Sequence, residues 1–388
     1  MLFVLVGLPL LFIAEPFVRI RIGYIPNQRI GHLAMNTEVY IRRREADGWP
    51  KRTFSLFTCW DPANKQLLKM YKRRLNIVES RLLAQMFFAC REILQKTRFY
   101  ESVEWSHKPK DLTRENIDAI AHGSVSLQFT DEEERRGRAL LEELGIGPDD
   151  WYACFNARDT NYFNQWRPQY AERWEKISYR NADIDSYLDG AGRITARNGF
   201  AVRVGAGVQQ AIETDDPRIV DYAYNHWSDF GDIYLLAKCR FLLSCNTGLN
   251  MVPFAFNRPV AVANMVPICG ALYQESNLFI PALLRRKGED DFMHLEDVRS
   301  FDLFSPQIVP KYDEILRNNA LEQINSFPED IADLCEDMFD LLDGKPPSDE
   351  AVELQLLYQQ KYQAYFGKNP PLGRLGPRFA IKYRHLIV

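Results

Sequence analysis

From Trp151 to about residue 265, short apolar runs alternate with segments of helical periodicity, and this alternation leaves few possible folds. The runs WYACFN, FAVRVG, RFLLSC and PVAVANM have the length and composition of buried strands. Between them, residues 184–198 and 231–239 carry apolar side chains at helical spacing, and Gly199 is expected to end the first helix. Strands that alternate with helices predict a parallel, doubly wound sheet.

The first part of the chain has the same pattern. Residues 18–25 alternate apolar and basic side chains as a half-buried strand does, and residues 53–60 are typical of a second strand. The pair Asp61-Pro62 predicts the start of the next helix, because proline fits the first turn. A helix over 132–150 is expected to end at Gly145, and we place a domain boundary there.

A chain of 388 residues is long enough for two domains, and the segment after residue 300 is predicted to be helical. This order of elements resembles the α/β GT-B architecture of glycosyltransferases. In that fold, two Rossmann-like domains face a cleft and C-terminal helices cross back to the first domain. The predicted parts are an apolar N-terminal segment (1–17), a first domain (18–148), a second domain (149–310) and C-terminal helices (311–388).

Composition excludes several classes of protein. A net charge of −4 and a pI near 6.0 are unsuited to a protein that coats nucleic acid. The seven cysteines form no C-x-x-C pair and are typical of reduced core thiols in a cytosolic protein. The zinc-ligand spacings, the G-x-G-x-x-G motif and the P-loop motif are all missing from the sequence, which argues against a zinc enzyme, a dinucleotide oxidoreductase and a P-loop NTPase.

The N-terminus is apolar for about 14 residues before Glu15, which is short of the roughly 20 that a spanning helix needs. It also lacks the basic start and the cleavage site of a secretory signal. Two interpretations are open: an element that lies on a membrane surface, or a buried first strand or helix. The basic cluster at 42–45 is predicted to be a solvated helix face or to meet anionic lipid heads.

Polar residues follow the predicted strands of the second domain where each strand ends. In an open parallel sheet, ligands bind outside the carboxyl ends of the strands. Small residues just before a helix also let backbone N–H groups approach a diphosphate, although an ordinary helix cap with a tight turn explains them too. The candidates for donor binding at three of these strand ends are Arg203, Gly205, Ser244, Asn246, Thr247, Gly248 and Asn264.

Two arginines are candidates for binding phosphate. Arg158, just after the strand that ends near Asn156, could bind a phosphate bidentately and stabilise a leaving group, or simply pair with Asp159. Arg180 lies just ahead of the helix predicted at 184. We interpret Asp183 and Asp185 as caps of that helix rather than metal ligands, so neither a metal nor another cofactor is expected.

In the first domain, a loop between strand and helix holds Arg29, Gly31 and His32. A histidine there can act as a general base near neutral pH, and the glycine lets a substrate approach the backbone. The alternative is a histidine at the start of a helix that bonds to nearby backbone. We assign Arg29 and Gly31 to acceptor binding.

Three aspartates complete the candidates. Asp159 is the second candidate for a catalytic base after His32. Asp229 could bind a sugar or ribose hydroxyl, or serve with Ser228 as a cap or turn, and Asp232 is interpreted as a cap of the helix that follows.

Taken in order, these motifs resemble an uncharacterised bacterial family of glycosyltransferases from surface-polysaccharide gene clusters. The resemblance extends over residues 5–290 and is carried by RIGHLAMNTEVYIRRRE, CFNARDTNYF, YRNADIDSYLDGAGRITARNGFAVRVGAG and DYAYNHWSDFGDIYLLAKCRFLLSCNTGLNMVPFAFNRPVAVAN. Arg158 is also similar in position to the arginine of the H-x-R motif in fucosyltransferase-like GT-B enzymes, which contacts the donor diphosphate. Asn156 stands where those enzymes often have histidine.

The resemblance implies a GT-B enzyme that transfers a sugar from a nucleotide-sugar donor in O-antigen, capsule or related glycan assembly. We expect a metal-independent, inverting reaction on a glycan or lipid-linked acceptor at the cytoplasmic face of the inner membrane, with no nucleic-acid partner. Two other functions are open: a pyruvyl or phosphoryl transferase that modifies polysaccharide, and a non-enzymatic subunit that binds nucleotide sugars.

Overall fold

The computed structural model describes residues 7–104, 114–159, 161, 177–266, 274–301, 303, 311–366 and 373–388. The first part of the chain forms a parallel sheet of four strands, in the order β3-β2-β1-β4. The strands are β1 (Arg19–Tyr24), β2 (Thr53–Cys59), β3 (Asn76–Glu79) and β4 (Tyr100–Glu101). The helices around it are α1 (Leu8–Ala14), α2 (Ile30–Asp47), α3 (Lys65–Lys72), α4 (Arg81–Leu94), α5 (Arg114–His122) and α6 (Asp131–Glu143).

A second parallel sheet has seven strands. They are β5 (Tyr152–Asn156), β6 (Phe200–Arg203), β7 (Ile219–Val220), β8 (Leu242–Ser244), β9 (Val260–Met265), β10 (Leu278–Pro281) and β13 (Arg374–Leu375). Their order, β13-β10-β9-β8-β5-β6-β7, is that of a Rossmann sheet with one strand added. The chain adds strands outward on one side from β5 to β7 and on the other side from β8 to β10, so the strand order reverses between β5 and β8. A separate antiparallel pair joins β11 (Leu283–Arg286) to β12 (Leu321–Ile324).

Ten α-helices are described after β5. They are α7 (Leu188–Thr195), α8 (Tyr222–Asn225), α9 (Asp229–Lys238), α10 (Met251–Ala255), α11 (Leu295–Ser300), α12 (Tyr312–Asn318), α13 (Pro328–Leu342), α14 (Asp349–Phe366), α15 (Pro377–Lys382) and α16 (Arg384–Ile387). Three 3-10 turns, Ser178–Arg180, Ile184–Tyr187 and Gly248–Asn250, lie beside the carboxyl edge of the sheet or lead into helices. Because β5, β8 and β9 are buried along their whole length, they form the apolar core of this sheet.

The prediction of two Rossmann-like α/β domains that face a cleft is confirmed. Among the described residues, the C-terminal helices pack on the second domain and on one another, whereas a return to the first domain was expected: α13 packs against α7, β9 and β10, and α15 packs against α13 and α14. An ion pair between Glu336 of α13 and Arg197, just beyond α7, joins them further to the second domain. Helical periodicity identifies these helices in the sequence but does not say which surface they cover.

Two predicted helix boundaries are also wrong. The helix after β2 begins at Lys65, because the side chain of Asn64 accepts a hydrogen bond from the N–H of Leu67 at 2.8 Å, whereas Asp61 has a φ of +55°. The helix after 184 begins as a 3-10 turn, and Asn198, with a φ of +62°, takes the left-handed position after α7. Gly145, with a φ of +76°, does end α6 as predicted.

A buried arginine joins the two domains. Arg42 of α2 donates from Nε to Glu38 at 2.9 Å and from Nη2 to the Asn257 side chain at 2.9 Å. The same Nη2 lies 3.3 Å from the carbonyl oxygen of Phe254, at the end of the second-domain helix α10 that packs on α2. The interpretation of the 42–45 cluster as a solvated face is therefore wrong for Arg42.

Six of the cysteines lie in the described residues and are buried with free thiols, in agreement with the prediction of core thiols. Cys269 lies outside the described residues. Among the helices that the structure describes, none combines the length and the apolar character that crossing a bilayer requires.

Candidate functional site

A cavity of about 410 Å³ lies between the two domains. It is at the carboxyl edge of the second sheet, where the strand order reverses between β5 and β8. Its walls come from the start of α2, from Asn64, from the carboxyl ends of β5 and β6, and from the turn after β8. The predicted site residues that line it are Arg29, Gly31, His32, Arg158, Asp159, Arg180, Gly205, Asn246, Thr247 and Gly248. The rule that ligands bind outside the carboxyl ends of parallel strands thus identified most of this cavity.

Arg158 follows β5 and is almost fully buried. Its backbone N–H lies 3.1 Å from Sγ of Cys245, which fixes the residue beside the end of β8. The guanidinium donates to the carbonyl oxygen of Ile177 at 3.0 Å and to the side chain of Asn181. Burial, together with the nearby charge of Arg180, lowers the pKa of Arg158 to about 10.

Arg180 lies at the end of the first 3-10 turn and reaches the turn after β8. It donates from Nε and Nη2 to the carbonyl oxygen of Asn246 at 3.0 and 2.7 Å, and from Nη2 to the Asn246 side chain at 3.0 Å. Burial lowers its pKa as well. Two neighbouring guanidinium groups, whose described hydrogen bonds go to neutral oxygens, give this end of the cavity a concentrated positive charge.

The cavity is also lined by a buried carboxyl group, that of Asp232, whose position in the sequence predicts a helix cap. Asp232 of α9 accepts hydrogen bonds from the backbone N–H of Gly205 at 3.1 Å and from Nε1 of Trp227 at 2.9 Å. Burial raises the pKa of Asp232 to about 7. The cap of α9 is Ser228 instead, whose Oγ accepts from the N–H of Gly231 at 3.0 Å.

Gly205 connects this carboxyl group to the end of β6. Its φ of +116° is a conformation that side chains rarely adopt, and a Cβ there would lie 2.6 Å from Nδ2 of Asn156. Nδ2 of Asn156 donates to the carbonyl oxygen of Val204 at 2.8 Å, so Asn156 holds the turn after β6. A glycine at this position lets the N–H point at Asp232.

The first-domain wall comes from the beginning of α2. His32 and the exposed Arg29 line the cavity here, across from the second domain. Gly31 lies directly against Gly248: a Cβ on Gly31 would be 2.8 Å from Cα of Gly248. The absence of a side chain at Gly31 thus serves contact between the two domains, in addition to any role in binding an acceptor.

The side chain of Asp159 accepts hydrogen bonds from the backbone of two loops. Its Oδ1 accepts from the N–H of Asn161 at 2.8 Å, and its Oδ2 accepts from the N–H of Gln209 at 3.3 Å. The carboxylate therefore joins the loop after β5 to the loop after β6 at the rim of the cavity.

Arg203 and Asp229 do not line the cavity. Arg203 is buried on the far side of β6, where it pairs with Asp221 at 3.0 Å. The carboxylate of Asp229 accepts from the backbone N–H of Lys65 at 2.8 Å and caps α3 across the domain boundary. Both side chains make structural contacts outside the cavity, so donor binding by Arg203 and Asp229 stays a prediction that these contacts do not support.

Ser244 and Asn264 also lie outside the cavity. Ser244 is fully buried in β8 and donates to the carbonyl oxygen of Cys245. Asn264, with a φ of +54°, accepts from the backbone N–H of Ser326 at 2.6 Å and donates to the hydroxyl of Tyr187 at 3.2 Å. Asn264 belongs to β9, which lies one strand further than β8 from the point where the strand order reverses. The polar residues at the end of β9 therefore lie away from the cavity.

The D-x-D sequence at 183–185 forms a cap. The side chain of Asp183 accepts from the backbone N–H of Asp185 at 3.1 Å and starts the second 3-10 turn, as the cap interpretation predicts. Within the described ranges, no three histidine, cysteine, aspartate or glutamate side chains lie close enough together to hold a metal ion.

No family model matches the chain, and no curated protein matches it in sequence. Solved structures that align with the chain include glycosyl transferase family 9 from Veillonella parvula, with a TM-score of 0.38 and 12 % identity over 63 % of this chain and 80 % of that one. Another is the E. coli ADP-heptose LPS heptosyltransferase II, with a TM-score of 0.40 and 11 % identity over 63 % of this chain and 84 % of that one.

E. coli heptosyltransferase WaaC with ADP aligns over 78 % of this chain and 99 % of its own, with a TM-score of 0.33 and 11 % identity. Values this low carry no argument about substrate or mechanism. The α/β description above rests on the order and direction of the strands themselves.

Proposed function

We propose that the protein is a glycosyltransferase, which moves a sugar from a nucleoside-diphosphate sugar to a hydroxyl of a glycan or lipid-linked acceptor. The observation that carries this proposal is the pair of arginines, Arg158 and Arg180, at the reversal point of a Rossmann sheet and inside an interdomain cavity. A diphosphate is the ligand whose charge and shape suit two neighbouring guanidinium groups.

In this proposal the donor lies against the second domain. Arg158 and Arg180 bind the diphosphate, and Thr247 and Gly248 present backbone N–H groups to it. Gly205, at the end of β6, leaves room for the rest of the donor, since no Cβ fills that side of the cavity.

The reaction is a single displacement. The acceptor oxygen attacks the anomeric carbon, the bond from that carbon to the phosphate oxygen breaks, and the nucleoside diphosphate leaves with the bonding electrons. The acceptor proton passes to a base, for which His32 on the first-domain wall is our first candidate and Asp159 after β5 is the second. Attack opposite to the leaving group inverts the configuration of the sugar.

The two arginines also supply the positive charge that a divalent metal supplies in other transferases. Charge that develops on the leaving diphosphate is stabilised where donors are already held in place, and Arg158 and Arg180 are fixed by Ile177, Asn181 and Asn246. We therefore propose a metal-independent reaction.

The biological setting of the proposal rests on the motif resemblance. It is bacterial surface-polysaccharide assembly, such as O-antigen or capsule, at the cytoplasmic face of the inner membrane. The donor sugar, the nucleotide base and the linkage are left to experiment.

The test is incubation with a panel of nucleotide sugars and acceptor extracts, with nucleoside diphosphate release as the readout. We expect release with at least one donor, and release that persists in EDTA. Binding of nucleotide sugars without turnover indicates a binding subunit, and turnover with phosphoenolpyruvate or transfer of phosphate replaces the glycosyl proposal.

A further inference from the structure

One surface of the first domain leaves an unusual amount of apolar side chain in water. On α1 and in the short segment after it, Leu10, Ile13 and Phe17 are exposed, and Phe17 is 79 % exposed. On α4, Leu82, Leu83, Met86 and Ile93 are exposed, and Leu82 is 65 % exposed. We call these seven residues the α1–α4 face.

The helical positions of α4 explain this exposure. Ala84, Phe87, Cys90 and Leu94 form the buried stripe of the helix. Leu82, Met86 and Ile93 recur at intervals of four and seven residues, which places them on a second stripe beside the first. More than half of the circumference of α4 is therefore apolar, while the fold buries only one part of it.

The two helices belong to one surface. Leu8 of α1 packs against the cluster formed by Phe87, Cys90 and Leu94. Phe12 of α1 also meets Phe99, just after α4, with ring centroids 4.8 Å apart. Exposed apolar side chains on two neighbouring helices of this kind mark a place of interaction.

The charges around this surface are mainly basic, although the whole chain has a net charge of −4. Residues 8–19 and 81–99 carry five basic residues, Arg19, Arg81, Arg91, Lys96 and Arg98, and two acidic residues, Glu15 and Glu92. Arg91 is paired with Glu104 at 2.7 Å, so the other four basic residues are the ones assigned to headgroups. The guanidinium of Arg81 lies over the half-exposed ring of Trp60 at 5.0 Å. Apolar side chains with basic and tryptophan neighbours suit the boundary between acyl chains and anionic headgroups.

We propose that the α1–α4 face docks the protein on the surface of a bilayer that contains anionic lipid. The exposed apolar residues enter the boundary of the acyl chains, and the surrounding basic residues contact the headgroups. A second copy of the chain is a less suitable partner, because it would bring two sets of like charges together. This proposal does not depend on the donor site, since none of the seven residues lines the interdomain cavity.

The experiment is flotation of the full chain with two kinds of vesicle, pure phosphatidylcholine and phosphatidylcholine mixed with phosphatidylglycerol. We expect binding to the mixed vesicles that weakens as salt is added, because screening reduces the attraction of exposed charges. The triple variant Leu82→Gln/Met86→Gln/Ile93→Gln should lower this binding at least about tenfold, since three apolar anchors are removed. A second variant, Arg81→Gln/Lys96→Gln/Arg98→Gln, should abolish the preference for the anionic vesicles.

The matched control is Val352→Gln/Leu356→Gln, which changes two exposed apolar residues on α14. We expect this control to bind vesicles as the wild type does. The proposal is overturned if the wild type binds neither kind of vesicle, or if the control loses as much vesicle binding as the α4 triple variant. If the wild type is a dimer in solution that binds no vesicles, and the α4 triple variant is a monomer, the face serves self-association instead.

Discussion

Two groups of buried charges in this protein differ in what surrounds them. In the first group, each arginine has a carboxylate partner: Arg42 pairs with Glu38 at 2.9 Å, and Arg203 pairs with Asp221 at 3.0 Å. Both pairs lie away from the cavity and join backbone segments, the first of them across the domain boundary. Their charges are already neutralised, so they hold the fold together and offer nothing to a ligand.

The second group lines the cavity, and its described hydrogen bonds go to neutral groups. The guanidinium groups of Arg158 and Arg180 donate to carbonyl and amide oxygens, and Asp232 accepts from N–H groups of Gly205 and Trp227. Burial shifts the pKa of each of these three groups toward its neutral form. Such charges are costly in a fold unless a ligand uses them, and this distinguishes a binding site from a structural ion pair.

Breaking a pair of the first group should have the largest effect on stability. In Arg42→Met, Glu38 would stay buried without its partner, and we expect a loss of about 3 to 5 kcal/mol in the free energy of unfolding. Chemical denaturation measures this loss. The exposed neighbour provides the control, because Arg43→Met should change stability by no more than about 0.5 kcal/mol. If Arg42→Met proves as stable as the control, Arg42 and its pair with Glu38 do not stabilise the fold.

Asp232 should make the free energy of unfolding depend on pH. Its pKa is raised from 3.8 to about 7 in the fold, so the folded protein holds a proton that the unfolded chain releases. The free energy of unfolding should therefore fall as pH rises from about 4 to about 7, by at most about 4 kcal/mol. Asp232→Asn should flatten this dependence.

The measurement is denaturation of both proteins at pH 5 and pH 8. Asp215→Asn, at an exposed position, is the control and should follow the wild type at both values. If the stability of Asp232→Asn decreases between pH 5 and pH 8 as much as that of the wild type and the control, the pKa of Asp232 is not raised in the fold.

The ends of two predicted strands, β5 and β8, located the cavity from the sequence alone. Arg158 and Asn246 follow strands that lie next to each other at the reversal of the sheet, and parallel strands bring such residues to one edge. Asn264 satisfies the same rule in the sequence, but β9 lies further along the sheet. Which strands flank the reversal depends on the order of the strands, and periodicity does not give that order.

The other differences come from long-range partners. Arg203 forms an ion pair with Asp221, and Asp229 caps α3, which lies in the other domain. Asp232 lies three residues into a helix start, where an exposed cap is the ordinary interpretation. One signal was present: residues 230–237 of α9 are apolar almost throughout, which is typical of a helix buried on all sides and unusual around a solvated aspartate.

Removing a charge of the second group should affect turnover more than stability. In Arg180→Ala the diphosphate would lose one of its two guanidinium groups, and we expect kcat to fall about 100-fold. Arg299→Ala, at an exposed position on α11, is the control and should keep wild-type turnover. Unchanged kcat in Arg180→Ala, measured by nucleoside diphosphate release, would remove Arg180 from the proposed donor site.

The smallest change that separates the two groups keeps the charge and alters only its geometry. Arg158→Lys retains a cation, but an ammonium group cannot bond to Ile177, Asn181 and a phosphate in the planar arrangement of a guanidinium. We expect kcat to fall at least about tenfold while the protein stays folded, with a smaller change in KM, because the lost contact acts mainly on the departing diphosphate. Arg203→Lys is the matched variant in the paired group: it should lower stability and leave the kcat of the folded protein near wild type. Equal losses of kcat in the two variants would mean that both arginines act through the fold, and Arg158 would then join the structural group.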